Sequence, residues 1–261
     1  MDIIKEPDFH NVHLHVLEAH LLSGTDTWTN KKLSAPFWRF YWNLNANAEI
    51  RLRDTTVRLD PSTIALIPPY SAFDKSTRGP VDHFHIHFIA GPPFDYLRDM
   101  IFSVPILQEI RSVCREIIPV LQQKGVRDPW ILSRISFVLF WALHKIPWEA
   151  VKRAPIDPRV EQVSRLMNQN SKHPLSNDHL ARELNMNTNA FIRLFKRANG
   201  VSPHHYYNER RIEKACVMLH STSLSIEEIA AETGFADRFH FSRVFTVIVG
   251  SGPAAYRKMR T

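Results

Sequence analysis

The chain repeats itself near its C-terminus, and that repeat constrains the fold more than any other feature. Leu175-Ser176 recurs as Leu224-Ser225, Ala181 as Ala230 and Glu183 as Glu232, at an offset of 49. Arg193 recurs as Arg243, Phe195 as Phe245, Gly200 as Gly250 and Pro203 as Pro253, at an offset of 50. The second copy therefore carries one extra residue in its turn. A single repetition is too little for a solenoid, which stacks three or more units. It fits two copies of a helical module joined by a long helix.

Each copy reads as helix, tight turn, helix. In the first, Ser176 is placed to cap a helix whose Leu180 and Leu184 face inward, and Asn185 sits where the chain reverses. Asn tolerates the left-handed conformation better than most non-glycine residues. A second helix from about Thr188 to Ala198 buries Phe191, Leu194, Phe195 and Ala198 and leaves Asn189, Ile192, Arg193 and Lys196 on its other face. The second copy opens with a capping-box pattern, Ser225-Ile226-Glu227-Glu228, and turns at Gly234. Its inward stripe is Phe241, Val244, Phe245 and Ile248, and Arg238, Phe239, Ser242 and Arg243 project outward.

These are the proportions of a helix-turn-helix, whose second helix enters the major groove. Arg presents two parallel donors that match guanine's major-groove acceptors, and Asn pairs bidentately with adenine. Phe239 or Ile192 suits a thymine methyl. The helix between the modules, about His204 to His220, is roughly 25 Å long at 1.5 Å per residue. That length suits holding two recognition helices about one DNA turn, ~34 Å, apart. Taken singly, either arginine reads as ordinary surface solvation. Their recurrence at equivalent places, each beside a buried Phe, argues for the reading role.

Charge agrees with a polyanion partner. The net charge is +7, with 18 basic against 16 acidic residues through Pro155 and 15 against 10 in the shorter remainder. No apolar run is long enough for a bilayer; Ile135 to Leu143 is about half of what a membrane helix needs. Met1 to His10 lacks the charged-then-apolar order of an export signal, and Cys114 and Cys216 are the only cysteines. A cytoplasmic protein without a membrane partner is expected.

The front half has a different period. Trp38 to Leu44 sets Trp38, Phe40, Trp42 and Leu44 against Arg39, Tyr41 and Asn43. Glu49 to Leu59 alternates, Thr63 to Ile67 ends at Pro68-Pro69, and His83 to His87 alternates with Phe84, Ile86 and Phe88. Short period-two segments of this kind predict a small antiparallel barrel or sandwich up to about Pro93. A helical stripe follows from Pro105 to Gln123, through Ile106, Leu107, Ile110, Val113, Cys114, Ile117, Ile118 and Leu121. A second helix starts at Asp128-Pro129 and is apolar nearly all round, as in a core or a subunit interface. Trp148 to Ile156 reads as a linker between domains spanning 1–150 and 156–261.

His83, His85 and His87 share one strand face. Alternating histidines can share a cation, yet no pattern places a further carboxylate and histidine to complete a metal site, and His10, His13, His15 and His20 reach the face only if the N-terminal segment folds over it. Hydrogen-bonding histidines on a pocket wall are the larger expectation; neither a metal nor a cofactor is assigned. Arg39, Tyr41 and Asn43 are the expected polar groups of a ligand pocket. With Trp28, Trp38 and Trp42 nearby, a sugar or other hydroxylated ligand fits, although at least two of the tryptophans are expected in the core. Alternation alone does not say which face points inward.

The C-terminal segments resemble the AraC/XylS family of bacterial transcription regulators. The resemblance rests on Leu180-Ala181-Arg182-Glu183-Leu184, Arg193-Leu194-Phe195-Lys196-Arg197, Gly200-Val201-Ser202-Pro203 and Leu224-Ser225-Ile226-Glu227-Glu228-Ile229-Ala230. It continues through Gly234-Phe235-Ala236-Asp237, His240-Phe241-Ser242-Arg243-Val244-Phe245 and Ala255-Tyr256-Arg257. It implies base-reading positions at Asn189, Ile192 and Arg193 and at Arg238, Phe239, Ser242 and Arg243, with Lys196 and Arg197 as the basic pair on phosphate. The second copy has Thr246-Val247 where the first has that pair, which implies fewer phosphate contacts there. Its Val247-Ile248-Val249 is either a docking patch for polymerase or the N-terminal domain, or added core.

The front half resembles the family's cupin-like sensor less specifically, through Arg58-Leu59-Asp60-Pro61, Leu66-Ile67-Pro68-Pro69 and His85-Ile86-His87-Phe88. The implied fold is α+β in two domains, a cupin-like β-barrel with following helices and an all-α pair of helix-turn-helix modules. The implied function is a ligand-responsive transcription regulator with double-stranded DNA, a small-molecule effector, RNA polymerase and a second copy of itself as partners. The helices at Pro105 to Gln123 and Trp130 to Lys145 would dimerise. A metal-dependent cupin enzyme fused to a DNA-binding module, and a constitutive architectural binder, are the alternatives. No activated Ser or Cys constellation and no phosphate-cradling glycine loop stands out, so an enzyme is not expected.

Overall fold

The computed structural model describes residues 13–26, 28–91, 93–94, 97–126, 128–151 and 157–258. His10 and residues 152–156 of the expected linker lie outside that set. The chain divides into two compact units, the boundary falling between a short helix at Trp148–Val151 and a helix at Pro158–Gln169.

The first unit is built from two antiparallel sheets. One has the order β1(Leu14–Thr25), β8(Val81–Ala90), β3(Trp38–Asn43), β6(Thr63–Ile67), β9(Phe102–Pro105); the other is β2(Asn30–Leu33), β7(Phe73–Thr77), β4(Ala48–Leu52), β5(Thr55–Leu59). Alternation sends the two faces of the five-stranded sheet to different cores. Trp38, Phe40, Trp42, Ile64, Leu66, Phe84, Ile86 and Phe88 pack against the helices α1(Gln108–Lys124) and α2(Pro129–His144). Tyr41, Ala65, Ile67 and Val81 face Ile50, Leu52, Leu59 and Phe73 of the four-stranded sheet.

Some expectations change in detail. The stretch Glu49 to Leu59 is two strands, not one, because Arg53 takes φ 52° and folds the chain into a hairpin. Leu107 is the uncapped first residue before α1 and is 48% exposed, so it is no part of the buried stripe. Trp148–Val151 forms a helix, α3, whose Val151 belongs to the first unit's core, so the linker is shorter than read. Asp128 caps α2 by accepting from the amides of Trp130 and Ile131. Around α2, Ile131, Ile135, Val138, Leu139 and Ala142 are buried while Trp130, Phe137 and Phe140 are 40%, 55% and 47% exposed.

The second unit is helical: α4(Pro158–Gln169), α5(Asn177–Glu183), α6(Thr188–Asn199), α7(Pro203–Ser221), α8(Ile226–Glu232), α9(Arg238–Val249) and α10(Pro253–Lys258). The caps are those the sequence predicts: Ser176 before α5 and a complete capping box of Ser225 with Glu228 before α8. The two tight turns take left-handed residues, Asn185 at φ 52° and Gly234 at φ 78°. Phe191, Leu194 and Phe195 fill the first module's core, and Phe241, Phe245, Ile248 and Val249 are buried in the second. Ala198 and Val244 are half-buried.

Candidate nucleic-acid interface and inter-sheet polar face

The helices α6 and α9 are twelve residues each, start from the side-chain caps Asn187 and Asp237, and end at left-handed Gly200 and Gly250. Arg193 and Arg243 are each the sixth residue of their helix, so they leave it at the same phase. The buried phenylalanines follow the same register, at the fourth and eighth positions of both helices. Both arginines are exposed, and among the described residues neither takes part in an ion pair.

Asn189, Lys196 and Arg197 are also exposed on α6, whereas Ile192 is half-buried and packs against the module's core. On α9, Arg238 is exposed, Phe239 is 77% exposed and Ser242 is half-buried. Phe239, Ser242 and Arg243 line one shallow groove with Thr246 and Val247. Of the apolar Val247-Ile248-Val249 segment, Ile248 and Val249 are core and Val247 alone is open, at 82%.

The link between the modules is specific. Arg211, on α7, is buried, donates from Nε to the carbonyl of Thr233 at 2.6 Å and lies 3.7 Å over the Phe235 ring. A Cβ on Gly234 would fall 2.0 Å from the carbonyl oxygen of Lys172, whose ammonium pairs with Glu232 at 3.0 Å. The turn of the second module is thus seated against α7 and against the segment after α4. Nothing in the sequence marks Arg211, because a basic residue in a long helix carries no sign of burial.

In the first unit the register pairs Arg39 with His87, Tyr41 with His85 and Asn43 with His83. All six expected pocket residues therefore share one face of the five-stranded sheet, the face turned to the other sheet. Arg39, Tyr41, Asn43, His83 and His85 are buried. His83 Nδ1 lies 2.7 Å from Asn43 Oδ1. The Trp28 ring adjoins His83 at 4.9 Å, whereas Trp38 and Trp42 belong to the helix-facing core.

Two charged residues join this face without having been singled out. Lys75 lies 4.8 Å over the Trp28 ring, and burial, reinforced by Arg39, brings its ammonium down to about 8. Glu18, 6% exposed, brings one carboxylate oxygen into contact with His87 Nδ1 and to 3.6 Å from His85 Nε2. Burial opposes ionisation of Glu18, but His87 and His85 outweigh it and hold the carboxyl well below its usual range. Burial likewise brings His87 down to about 4, against the pull of Glu18, and pushes the Tyr41 phenol up to about 12.

A β-bulge hides the direction of Glu18 from the sequence pattern. Val16 pairs with Phe88 and Glu18 with His87, so Leu17 is the extra residue. The bulge shifts the alternation by one and turns Glu18 from the helix-packed face onto the histidine face. A carboxylate beside the three histidines, absent from any pattern in the sequence, is supplied by the neighbouring strand.

Two capped, phase-matched helices, each preceded by a short helix and a tight turn, make a doubled helix-turn-helix, an arrangement found in DNA-binding proteins. The helix-turn-helix domain family matches residues 180–259. The HTH-type transcriptional regulator GbdR of Pseudomonas aeruginosa is 33% identical over 101 residues, 39% of this chain and 28% of that protein. The uncharacterized HTH-type transcriptional regulator YfiF of Bacillus subtilis is 31% identical over 139 residues, 51% of this chain and 44% of that protein. The chain thus spans less than half the length of these relatives. ToxT from Vibrio cholerae shares the fold, with a TM-score of 0.64 over 97% of this chain and 99% of ToxT at 16% identity; another ToxT structure has an unsaturated fatty acid bound. Over its helix-turn-helix region the chain is thus similar to HTH-type transcriptional regulators.

Proposed function

We propose that this regulator is ligand-responsive and reads two successive major-groove segments with one chain. The observation that carries the reading is the identical phase of Arg193 and Arg243 on helices of equal length and equal capping. Asn189, Ile192 and Arg193 read bases from α6, and Arg238, Phe239, Ser242 and Arg243 read them from α9. Lys196 and Arg197 sit on phosphate. The partial burial of Ile192 limits it to an apolar contact at the groove's edge.

The effector binds between the two sheets, against Arg39, Tyr41, Asn43, His83, His85 and His87. A sugar or other small polar molecule fits the hydrogen-bonding groups, with Trp28 as the single stacking tryptophan. The cationic pair Arg39 and Lys75 favours a ligand with an acidic end, a preference in line with the fatty acid bound to ToxT. Two copies associate through the exposed aromatic face of α2, and the protein acts in the cytoplasm at promoters, in contact with RNA polymerase.

A thermal-shift screen of sugars and small organic acids against the full chain tests the sensor reading. The expected result is a class of ligand that raises the melting temperature, alters affinity for specific DNA and loses both effects in Arg39→Ala. DNA affinity indifferent to every ligand that binds would return the constitutive binder.

A further inference from the structure

We propose that Glu18, His85 and His87 form a binding site for a divalent first-row transition metal ion of the zinc or iron(II) type. The inference rests on the reading of the inter-sheet face as the effector site and names a ligand class for it. One donor atom from each of the three residues lies within 4.8 Å of the others, inside a buried setting. Small rotamer changes bring such a set onto a metal, whose ligand bonds are about 2.0–2.2 Å long.

Three independent features of the fold support the assignment. The histidines are two apart on β8, and their rings are 4.8 Å apart, so both project from one strand face. The carboxylate comes from the adjacent strand through a bulge, a device that re-aims a single side chain and is common beside functional sites. The hydrogen bonding of the cluster is incomplete. Among the described residues, Glu18 Oε2, His85 Nδ1 and His87 Nε2 are buried without a hydrogen-bond partner. A purely structural network would satisfy such atoms.

The donor set selects the ion. Two imidazole nitrogens and one carboxylate oxygen suit zinc, iron, cobalt, nickel or manganese; calcium and magnesium take oxygen ligands. Three protein ligands leave at least one position for an outside donor. Arg39, paired across from His87, and the nearby Lys75 repel a bare dication. The same cations attract an anionic co-ligand, so the site takes metal together with an acid oxygen, which can bridge the ion and Arg39.

The test uses the full chain, stripped with a chelator, dialysed and titrated with Co2+ in the presence and absence of acetate. The expected result is about one ion per chain, a visible cobalt absorption band, competition by Zn2+ and tighter binding with acetate. Glu18→Gln and His87→Ala each lose about 100-fold or more in affinity, while His15→Ala, at an exposed histidine of β1 outside the donor set, keeps the band. Far-UV circular dichroism establishes that each variant is folded. Should Glu18→Gln not fold, the stoichiometry and the band of the wild-type chain with His87→Ala and His15→Ala still decide. Substoichiometric cobalt, or a band that survives Glu18→Gln and His87→Ala, overturns the site. If cobalt fails to bind stoichiometrically while an organic ligand shifts melting in an Arg39-dependent way, the effector reading stands and the metal site falls.

Discussion

Lys75 shows how the inter-sheet face trades stability for charge. Its ammonium is held at about 8 in the fold against 10.5 in an unfolded chain, by burial first and by Arg39 second. A lysine lowered in this way binds fewer protons folded than unfolded, so its contribution is favourable above about 10.5 and is lost as pH falls through about 8. Lys75→Met is therefore expected to stabilise the chain at pH 7, by on the order of 1 kcal/mol once the lost contact with the Trp28 ring is set against it, or about 2–4 °C. Paired melting curves at pH 7 and pH 10 check this: the gain shrinks at the higher pH. The same residues show how far a sequence can be read. Arg39, Tyr41 and Asn43 share a face by simple alternation, and so do the three histidines. That the two sets meet, and meet facing inward, depends on pairing between strands 40 residues apart, as in the hydrogen bond of His83 with Asn43. Glu18 was illegible for a different reason, since one bulged residue reverses the pattern from which its direction would have been inferred.

At the scale of elements, short helices are set by their ends. Ser225 and Glu228 close both halves of a capping box on α8, so Ser225→Ala is expected to cost about 1 kcal/mol. Gly234→Ala should cost more, at least ~2 kcal/mol, because φ 78° disfavours a side chain and its Cβ would overlap the Lys172 carbonyl. Urea unfolding of the full chain followed at 222 nm ranks the two; equal effects would mean that the turn is not pinned against Lys172. The helix α2 makes the complementary point. Phe137→Glu with Phe140→Lys is expected to convert dimers to monomers in sedimentation, leaving the fold intact because both side chains are about half exposed already. Caps at Asp128, Ser176 and Ser225 and both reversals at Asn185 and Gly234 were legible, since each follows from local backbone chemistry. The split of Glu49 to Leu59 into a hairpin was not, because it hinges on Arg53 in a conformation that side chains rarely adopt.

Across the second unit, α7 spans 19 residues, about 28 Å, and fixes the two modules in one body through Arg211, Thr233 and Phe235. No helix among the described residues is long and apolar enough to cross a membrane. Basic residues are unevenly shared, since α6 ends with exposed Lys196 and Arg197 where α9 has Thr246 and Val247. Lys196→Ala is accordingly expected to weaken binding to specific and random duplex alike and to lower the salt slope by about one. The repeat makes the helices, caps and turns of the twin modules legible, though not the partial burial of Ile192 and Ser242. What it left open was Arg211, since burial and its anchor on the Thr233 carbonyl arise only once the second module docks on α7.

Guanine methylation interference on a selected DNA site, with the wild-type chain and with Arg193→Ala and Arg243→Ala, tests the twin-module reading most directly. The expected pattern is two interference patches about one helical turn, ~34 Å, apart, each arginine variant abolishing one patch and relaxing base preference there by ~1–3 kcal/mol. A single patch, or an equal loss of affinity on every sequence in both variants, would contradict it.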